Sequence, residues 1–152
     1  MRFDKLTTKF QQAFADAQSK ALVNDSGFIE PQHLLAALLG QEDGGTASLL
    51  SRAGVAVPKL KGALAKAIER LPKVEGQGSG QIYLAPETAR LFDQAETISE
   101  KAGDSFVTVE RMLVALVLAK GTEAAEALAK GGVKPQALEK AVQELRKGRT
   151  AD

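Results

Sequence analysis

The chain has 152 residues, of which 44% are hydrophobic and 26% are charged, and it contains no cysteine. This composition is that of an ordinary globular protein, and it excludes disulfides, thiolate nucleophiles and cysteine-ligated metal sites. The 20 basic and 19 acidic side chains leave a net charge of +1, so no overall field favours nucleic acid or an anionic membrane as a partner.

Two helices are predicted at the start of the chain. The first has apolar residues at helical spacing, namely Phe10, Ala13, Phe14, Ala17 and Ala21. The polar turn from Asn24 to Gly27 ends it. Pro31 suits the first turn of a second helix, where its missing N–H costs nothing. That helix is apolar on every side from Leu34 to Leu39, so we expect it at the centre of the core.

Two further helices complete the first half. A third helix is predicted from Thr46 to Arg52, with Gly54 as the glycine that terminates it. A fourth helix follows Pro58, and one of its faces carries four apolar residues: Leu60, Leu64, Ile68 and Leu71. The first half is therefore predicted to be a four-helix unit.

The second half repeats this order. Its first predicted helix runs from Arg90 to Lys101, and Thr108 can cap an apolar second helix from Val109 to Ala119. Thr122 can cap the third helix, and Pro135 opens the fourth. No segment shows sustained alternation of apolar and polar residues, so the sequence predicts an all-α fold.

A constant offset of 78 residues relates the two halves. The segment FIEPQHLLAALL, from Phe28 to Leu39, returns as FVTVERMLVALV, from Phe106 to Val117. A chance similarity of two apolar helices would not keep this register through the loops, so we infer one structural unit used twice. We predict two tandem four-helix repeats, residues 1–71 and 84–147, related by a pseudo-two-fold axis with a groove where they meet. Gly-rich residues 72–83 would form a flexible connector.

No set of catalytic or metal-ligating residues stands out. The single histidine, His33, is not followed by glutamate, and we expect it to be a boundary residue on the first turn of a core helix. The sequence has no Gly-Lys dipeptide, so it lacks a phosphate-binding loop of the Walker type. We therefore expect a chain without enzymatic activity that holds no cofactor and no metal.

Neither a leader nor a membrane span is expected. The first ten residues, MRFDKLTTKF, lack the apolar core of a secretory signal. The longest unbroken apolar run, Met112 to Ala119, has 8 residues, which is far short of the ~20 that a bilayer requires. Basic residues near the end of the chain lack interleaved aromatic residues. We expect a cytoplasmic chain that contacts neither a membrane nor nucleic acid.

Several motifs resemble those of a known family. They are LTTKFQQAFADAQSKAL, FIEPQHLLAALL, LLSRAGV and RLPKVEG. With these motifs the chain resembles the N-terminal domains of the bacterial ClpB disaggregases, in the Clp N-domain family, from Met1 to about Lys147. It fits that group better than the related domains of the protease partners ClpA and ClpC. The fold of the family is a repeated four-helix unit.

The resemblance implies a function that composition does not reveal. In the family, this domain precedes two ATPase modules in a homohexameric ring, and it engages exposed apolar segments of unfolded or aggregated polypeptides during the stress response. The complete chaperone works with the DnaK system. Residues 148–152 would begin the linker to those modules, which would bind the ATP, and the isolated domain is expected to be a monomer. Two alternatives remain: an adaptor-docking domain of a Clp protease unfoldase, or a structural gate of the ring.

The resemblance also implies three substrate-binding residues. They are Thr7 in LTTKF, Asp104 in GDSF and Glu110 in VTVERML. Each has a structural alternative, because Thr7 can cap the first helix, Asp104 can order the turn before Phe106, and Glu110 can complement a helix dipole. Arg111 stands where the family often has an apolar residue. If it lines the groove, we expect a preference for acidic segments or weaker peptide binding.

Overall fold

Eight helices make up most of the computed structural model, which describes residues 2–74 and 81–151. In the first half they are α1 (Thr8–Val23), α2 (Pro31–Leu39), α3 (Gly45–Arg52) and α4 (Val57–Glu69). In the second half they are α5 (Pro86–Lys101), α6 (Val109–Leu118), α7 (Glu123–Lys130) and α8 (Pro135–Arg146). A 3-10 turn at Phe3–Lys5 precedes them. The predicted all-α fold with four helices in each half is confirmed.

Hydroxyl side chains begin three of these helices. The Oγ1 atoms of Thr7, Thr108 and Thr122 accept the backbone N–H of the residue three positions later, at 3.2, 3.2 and 3.1 Å. Each bond satisfies one of the N–H groups that a helix start leaves without a partner. The caps predicted at Thr108 and Thr122 are therefore present, and so is the cap given as the structural alternative for Thr7.

Helix ends differ from the predictions at a few positions. Helix α5 begins at Pro86 rather than at Arg90, because Pro86 fits the first turn and the buried Thr88 Oγ1 donates to the Ile29 carbonyl at 2.8 Å. Pro86 and Thr88 precede the apolar stripe of α5, so hydrophobic periodicity alone does not reveal the first turn of this helix. Helix α4 ends at Glu69, which leaves Leu71 outside it.

A short β pairing was not predicted. Strand β1 (Phe28–Ile29) pairs in parallel with β2 (Tyr83–Leu84), and an isolated bridge pairs Leu6 with Val107. Strand β2 includes the end of the predicted flexible connector, residues 72–83. Residues 75–80 of that connector lie outside the described residues, so its flexibility stays a prediction.

The two halves are related by the predicted two-fold axis, and backbone contacts make this visible. The Ala56 N–H donates to the Gly131 carbonyl at 3.1 Å, and the Lys134 N–H, 78 residues after Ala56, donates to the Ala53 carbonyl at 2.9 Å. The β contacts obey the same rule, because the bridge between Leu6 and Val107 is the counterpart of the pair formed by Leu84 and Ile29. Each contact thus has a partner generated by exchanging the halves.

The core lies around α2 and α6, which contact each other across the axis. All residues of α2 except Ala36 are buried, as predicted from its apolar sequence. Helix α3 packs against α8, and α7 packs against α4. Phe14 and its counterpart Phe92 meet with ring centroids 5.7 Å apart, while Phe10 stacks on Phe92. Each half therefore supplies part of the other half's packing.

Candidate functional site

Asp104, one of the three predicted site residues, lies in the turn between α5 and α6, and its side chain is 0% exposed. One carboxylate oxygen accepts Arg111 Nε at 3.0 Å and an Arg146 nitrogen at 3.0 Å. The other oxygen accepts the second Arg146 nitrogen at 2.6 Å and the Ala151 N–H at 2.8 Å. Burial acts to raise the pKa of Asp104, but hydrogen bonds from Arg146, Ala151 and Arg111 outweigh it and lower the pKa to about 2.

Glu110 belongs to the same cluster. Its Oε2 atom lies 3.4 Å from an Arg146 nitrogen, and its side chain is 17% exposed. The carboxylate of Asp104 is the main cause that raises the pKa of Arg146, with Glu110 adding to it. The structure thus joins Asp104 and Glu110 through Arg146, a residue of α8 that sequence reasoning noted only as one of several basic residues. Arg146 follows Leu138 and Val142 at helical spacing on the buried face of α8. This spacing was the one signal in the sequence that could have predicted its burial.

Thr7 lies near this cluster but is not bonded to it. Its N–H donates to the Val107 carbonyl at 3.1 Å, while its hydroxyl caps α1. A small cavity of about 110 Å³ lies nearby, and Asp104, Phe106 and Val107 are among the residues that line it. Substrate contact by Thr7, Asp104 and Glu110 stays a prediction; the partners described here are internal ones.

Arg111 does not offer a free cation to a groove. Its side chain is 14% exposed and its Nε is held by Asp104. The expected preference for acidic segments therefore does not arise from this residue in the structure, because its charge is already paired.

The last described residues fold back onto the same turn. The Ala151 carbonyl accepts the N–H groups of Ser105 and Phe106 at 2.7 and 3.0 Å. Together with the bond from the Ala151 N–H to Asp104, these contacts hold the C-terminal segment, residues 147–151, against the turn before α6. Asp104 therefore joins α6, α8 and this segment.

An apolar cavity lies in the first half, at a place that the sequence did not indicate. It is an open cleft of about 670 Å³ between α1, α2 and α4. Leu39 and Leu64 are buried in its wall, while Val23 is 86% exposed beside it. The remaining lining residues are Ser19, Lys20, Asn24, Ala36, Gly40, Lys61, Ala65 and Ile68. We call this cavity the α1–α2–α4 cleft.

Asn24 fixes one end of the cleft. Its side-chain amide donates to the Ile68 carbonyl at 2.9 Å and to Ser26 Oγ at 3.1 Å. Lys73 Nζ in turn donates to the Asn24 carbonyl and side chain at 3.0 and 3.1 Å. These bonds tie the end of α1 to the end of α4 and to the segment that follows it.

The groove expected where the two halves meet is polar. A cavity of about 350 Å³ lies there, and its charged lining consists of Glu30, Arg70, Glu87 and Glu123. Burial is the main cause that raises the pKa of Glu30, and Glu87 and Glu123 add to the effect. An apolar segment therefore fits the α1–α2–α4 cleft better than this junction.

His33 is a core residue, so its expected place at a boundary is wrong. Its side chain is fully buried, and its Nδ1 accepts the N–H of Glu30 at 2.9 Å, which closes the cap of α2. Its Nε2 lies 3.4 Å from Ser26 Oγ. Burial, followed by the charge of Lys20, lowers the pKa of His33 to about 4. The imidazole is therefore neutral near pH 7.

The described residues contain neither a group of metal ligands nor a membrane-spanning helix. Among residues 2–74 and 81–151, no three His, Cys, Asp or Glu side chains are grouped so that they could hold a metal ion. Over the same residues, no helix combines the length and the hydropathy that crossing a bilayer requires.

Comparisons with known proteins agree with the fold and the motifs. The model of the family described as Clp repeat (R) N-terminal domain matches residues 5–130. The chain is 48% identical over all of its 152 residues to Chaperone protein ClpB of Rhodopseudomonas palustris, and 44% identical over the same length to that of Mesorhizobium japonicum. It spans 17% of each of these relatives.

A solved structure shows the same fold at lower sequence identity. The N-terminal domain of Hsp104 from Candida albicans superimposes with a TM-score of 0.83 at 18% identity, covering 97% of this chain and 95% of that one. The family match, the ClpB relatives and the repeated fold lead to one conclusion: the chain belongs to the Clp repeat N-terminal domain family.

Proposed function

We propose that this chain is the substrate-engaging N-terminal domain of a ClpB-type ATP-dependent chaperone, and that it binds exposed apolar segments of non-native polypeptides. The observation that carries the proposal is the α1–α2–α4 cleft, an open cavity of about 670 Å³ with an apolar wall. The 48% identity to a ClpB chaperone supports the choice of protein class.

The cleft is suited to transient binding of many sequences. Val23, Ala65 and Ile68 line the cleft without being buried, so an aliphatic or aromatic side chain of any ligand can bury apolar surface against them. The open shape of the cleft does not select one particular side chain of the ligand. We expect a dissociation constant on the order of 10–100 μM, because a domain that must release its substrates cannot hold them tightly. Several tethered copies would then add avidity.

Other parts of the proposal concern the whole protein. Two ATPase modules would follow this domain and bind the ATP, while the domain itself would be non-catalytic and hold no cofactor. The parent would be a cytoplasmic homohexamer that works with the DnaK system, and the isolated domain would be a monomer. The ClpB relatives, of which this chain spans 17%, support the class of chaperone, and the other properties belong to the proposal.

Binding of an unfolded protein to the isolated chain tests the proposal. The probe is a reduced and alkylated polypeptide that carries a fluorescent label, and the readout is fluorescence anisotropy. Ala65→Glu places a charge in the cleft, and we expect binding about ten-fold weaker, since a carboxylate resists burial against apolar groups.

Lys66→Gln is the matched control. It lies on the same helix, does not line the cleft, is exposed, and changes the net charge by the same amount as Ala65→Glu. Equal loss of binding in both variants, or no binding of unfolded protein by the unsubstituted chain, would contradict the proposal. Stoichiometric capture of one folded partner instead would favour an adaptor-docking role.

A further inference from the structure

The polar lining of the α1–α2–α4 cleft carries one sign of charge. Lys20 of α1 and Lys61 of α4 line it, and no carboxylate does. Within the described chain, neither lysine forms an ion pair. Asp16 lines a separate polar cavity near Gly40, and Glu69 lines neither cavity. The two ammonium groups are therefore available to a ligand.

The internal repeat shows that the fold does not require these lysines. The positions 78 residues later are Ile98, which corresponds to Lys20, and Glu139, which corresponds to Lys61. Ile68 in the cleft likewise corresponds to Arg146, whose charge the second half uses to hold Asp104. Because both halves have the same helical frame, the pair of cations is a property of the first half's cleft and not of the repeat.

An ammonium group at an apolar cleft adds selectivity to hydrophobic binding. The apolar wall supplies most of the affinity for any apolar side chain. A carboxylate beside that side chain in the peptide is attracted by a lysine of the cleft and strengthens binding, whereas a lysine at the same place in the peptide is repelled and weakens it. Exposed ion pairs each contribute a factor of about 1.5 to 5 in binding. Salt weakens this contribution because the Debye length shortens, but it leaves the apolar contribution in place.

We propose that the α1–α2–α4 cleft selects apolar polypeptide segments that are flanked by acidic residues, and that Lys20 and Lys61 are the residues that determine this selectivity. The inference rests on the proposed function, since it concerns the ligand of the same cleft. It adds a substrate class to a site for which hydrophobicity alone sets no preference.

Three peptides with one apolar core test the inference. The core is flanked by Glu in the first peptide, Gln in the second and Lys in the third, and binding to the full chain is measured by fluorescence anisotropy at low and high salt. We expect the Glu-flanked peptide to bind about five-fold more tightly than the Gln-flanked peptide at low salt. The Lys-flanked peptide should bind most weakly, and the three affinities should converge at high salt.

Lysine variants assign the effect to the cleft. Lys20→Gln with Lys61→Gln should remove the preference for the Glu-flanked peptide over the Gln-flanked peptide. Lys59→Gln with Lys66→Gln is the matched control, since it removes the same charge from exposed positions outside the cleft. Lys61→Glu gives the first half the residue of Glu139, and it should shift the preference toward the Lys-flanked peptide.

The outcomes separate this inference from the proposed function. Equal binding of the three peptides, with Ala65→Glu still weakening all of them, overturns the acidic preference and leaves the apolar site intact. Loss of the preference in the control pair of lysine variants also overturns it, because the effect would then come from the overall charge. Failure of every peptide and of unfolded protein to bind removes the proposed function itself.

Discussion

Gly54 and Gly132 lie where the backbones of the two repeats come into close contact. Their φ angles are +94° and +97°, in the left-handed region that side chains disfavour. A Cβ atom at Gly132 would lie 3.2 Å from the Gly54 carbonyl oxygen, and one at Gly54 would lie 3.3 Å from the Gly132 oxygen. Both glycines therefore end helices and admit the neighbouring backbone, which explains why the repeat preserves them.

A pair of glycine substitutions should change stability in opposite directions. We expect Gly132→Ala to lower the free energy of unfolding by about 1–2 kcal/mol, because alanine is strained at a positive φ and meets backbone. Gly62→Ala should raise it by about 0.5–1 kcal/mol, because Gly62 lies within α4 and its Cβ would meet nothing within 4 Å. Urea unfolding followed by circular dichroism measures both. Stabilisation by Gly132→Ala would contradict the close contact of the repeats.

Asp104 holds two helices and the C-terminal segment together. Its carboxylate bonds Arg111 of α6, Arg146 of α8 and the N–H of Ala151 in the C-terminal segment. In the first half, the two-fold equivalents of Asp104 and Arg111 are Ser26 and His33, which form a neutral contact at 3.4 Å. The repeat thus keeps a polar contact at this turn in both halves, and in the second half the contact is an ion pair whose carboxylate also holds the C-terminal segment.

The ion pair of Asp104 predicts a dependence of stability on pH. Because the folded-state pKa is depressed to about 2 from the ordinary 3.8, its contribution is complete above about pH 4 and is lost as the pH falls toward 2. Asp104→Asn should lower the free energy of unfolding near pH 7 by about 3 kcal/mol, as removal of one partner from a buried pair does. The difference between the two proteins should shrink as the pH falls, in urea unfolding curves recorded between neutral and acidic pH.

Asp43→Asn is the control for that experiment. Asp43 also has a lowered pKa, with a hydrogen bond from Lys9 as its main cause, but this ion pair is exposed. Exposed pairs contribute little to stability, so this substitution should leave the unfolding curve nearly unchanged. The account of Asp104 fails if both variants behave alike, or if the deficit of Asp104→Asn stays constant down to pH 2.

Local signals in the sequence predicted the elements well, and contacts between elements account for the rest. The caps at Thr108 and Thr122 each join residues only three positions apart, so the sequence was sufficient to place them. Strands of two residues have no period that could be detected. Arg146 belongs to the cluster only because α8 packs on α6, and Lys20 and Lys61 line one cleft only because α1 and α4 both pack on α2. The α1–α2–α4 cleft therefore could not be predicted from the sequence alone.

Helices of each repeat pack against helices of the other repeat. Helix α3 of the first repeat rests on α8 of the second, and α7 of the second rests on α4 of the first. Helices α2 and α6 contact each other between these pairs. Neither repeat therefore encloses its own core, although the sequence suggested two units of similar size placed side by side.

This exchange predicts that both repeats unfold together. Leu35 and Leu113 are two-fold equivalents and are both fully buried, so replacement of either by alanine should cost about 2–5 kcal/mol. We expect Leu113→Ala to lower the protection of α2 amides as much as that of α6 amides in hydrogen-exchange mass spectrometry. Leu145→Ala, at a residue 44% exposed, serves as the control and should affect neither helix. A shared core transmits the defect to both sides of the axis. Loss of protection confined to residues 84–147 would instead mean that the second repeat is stable by its own contacts.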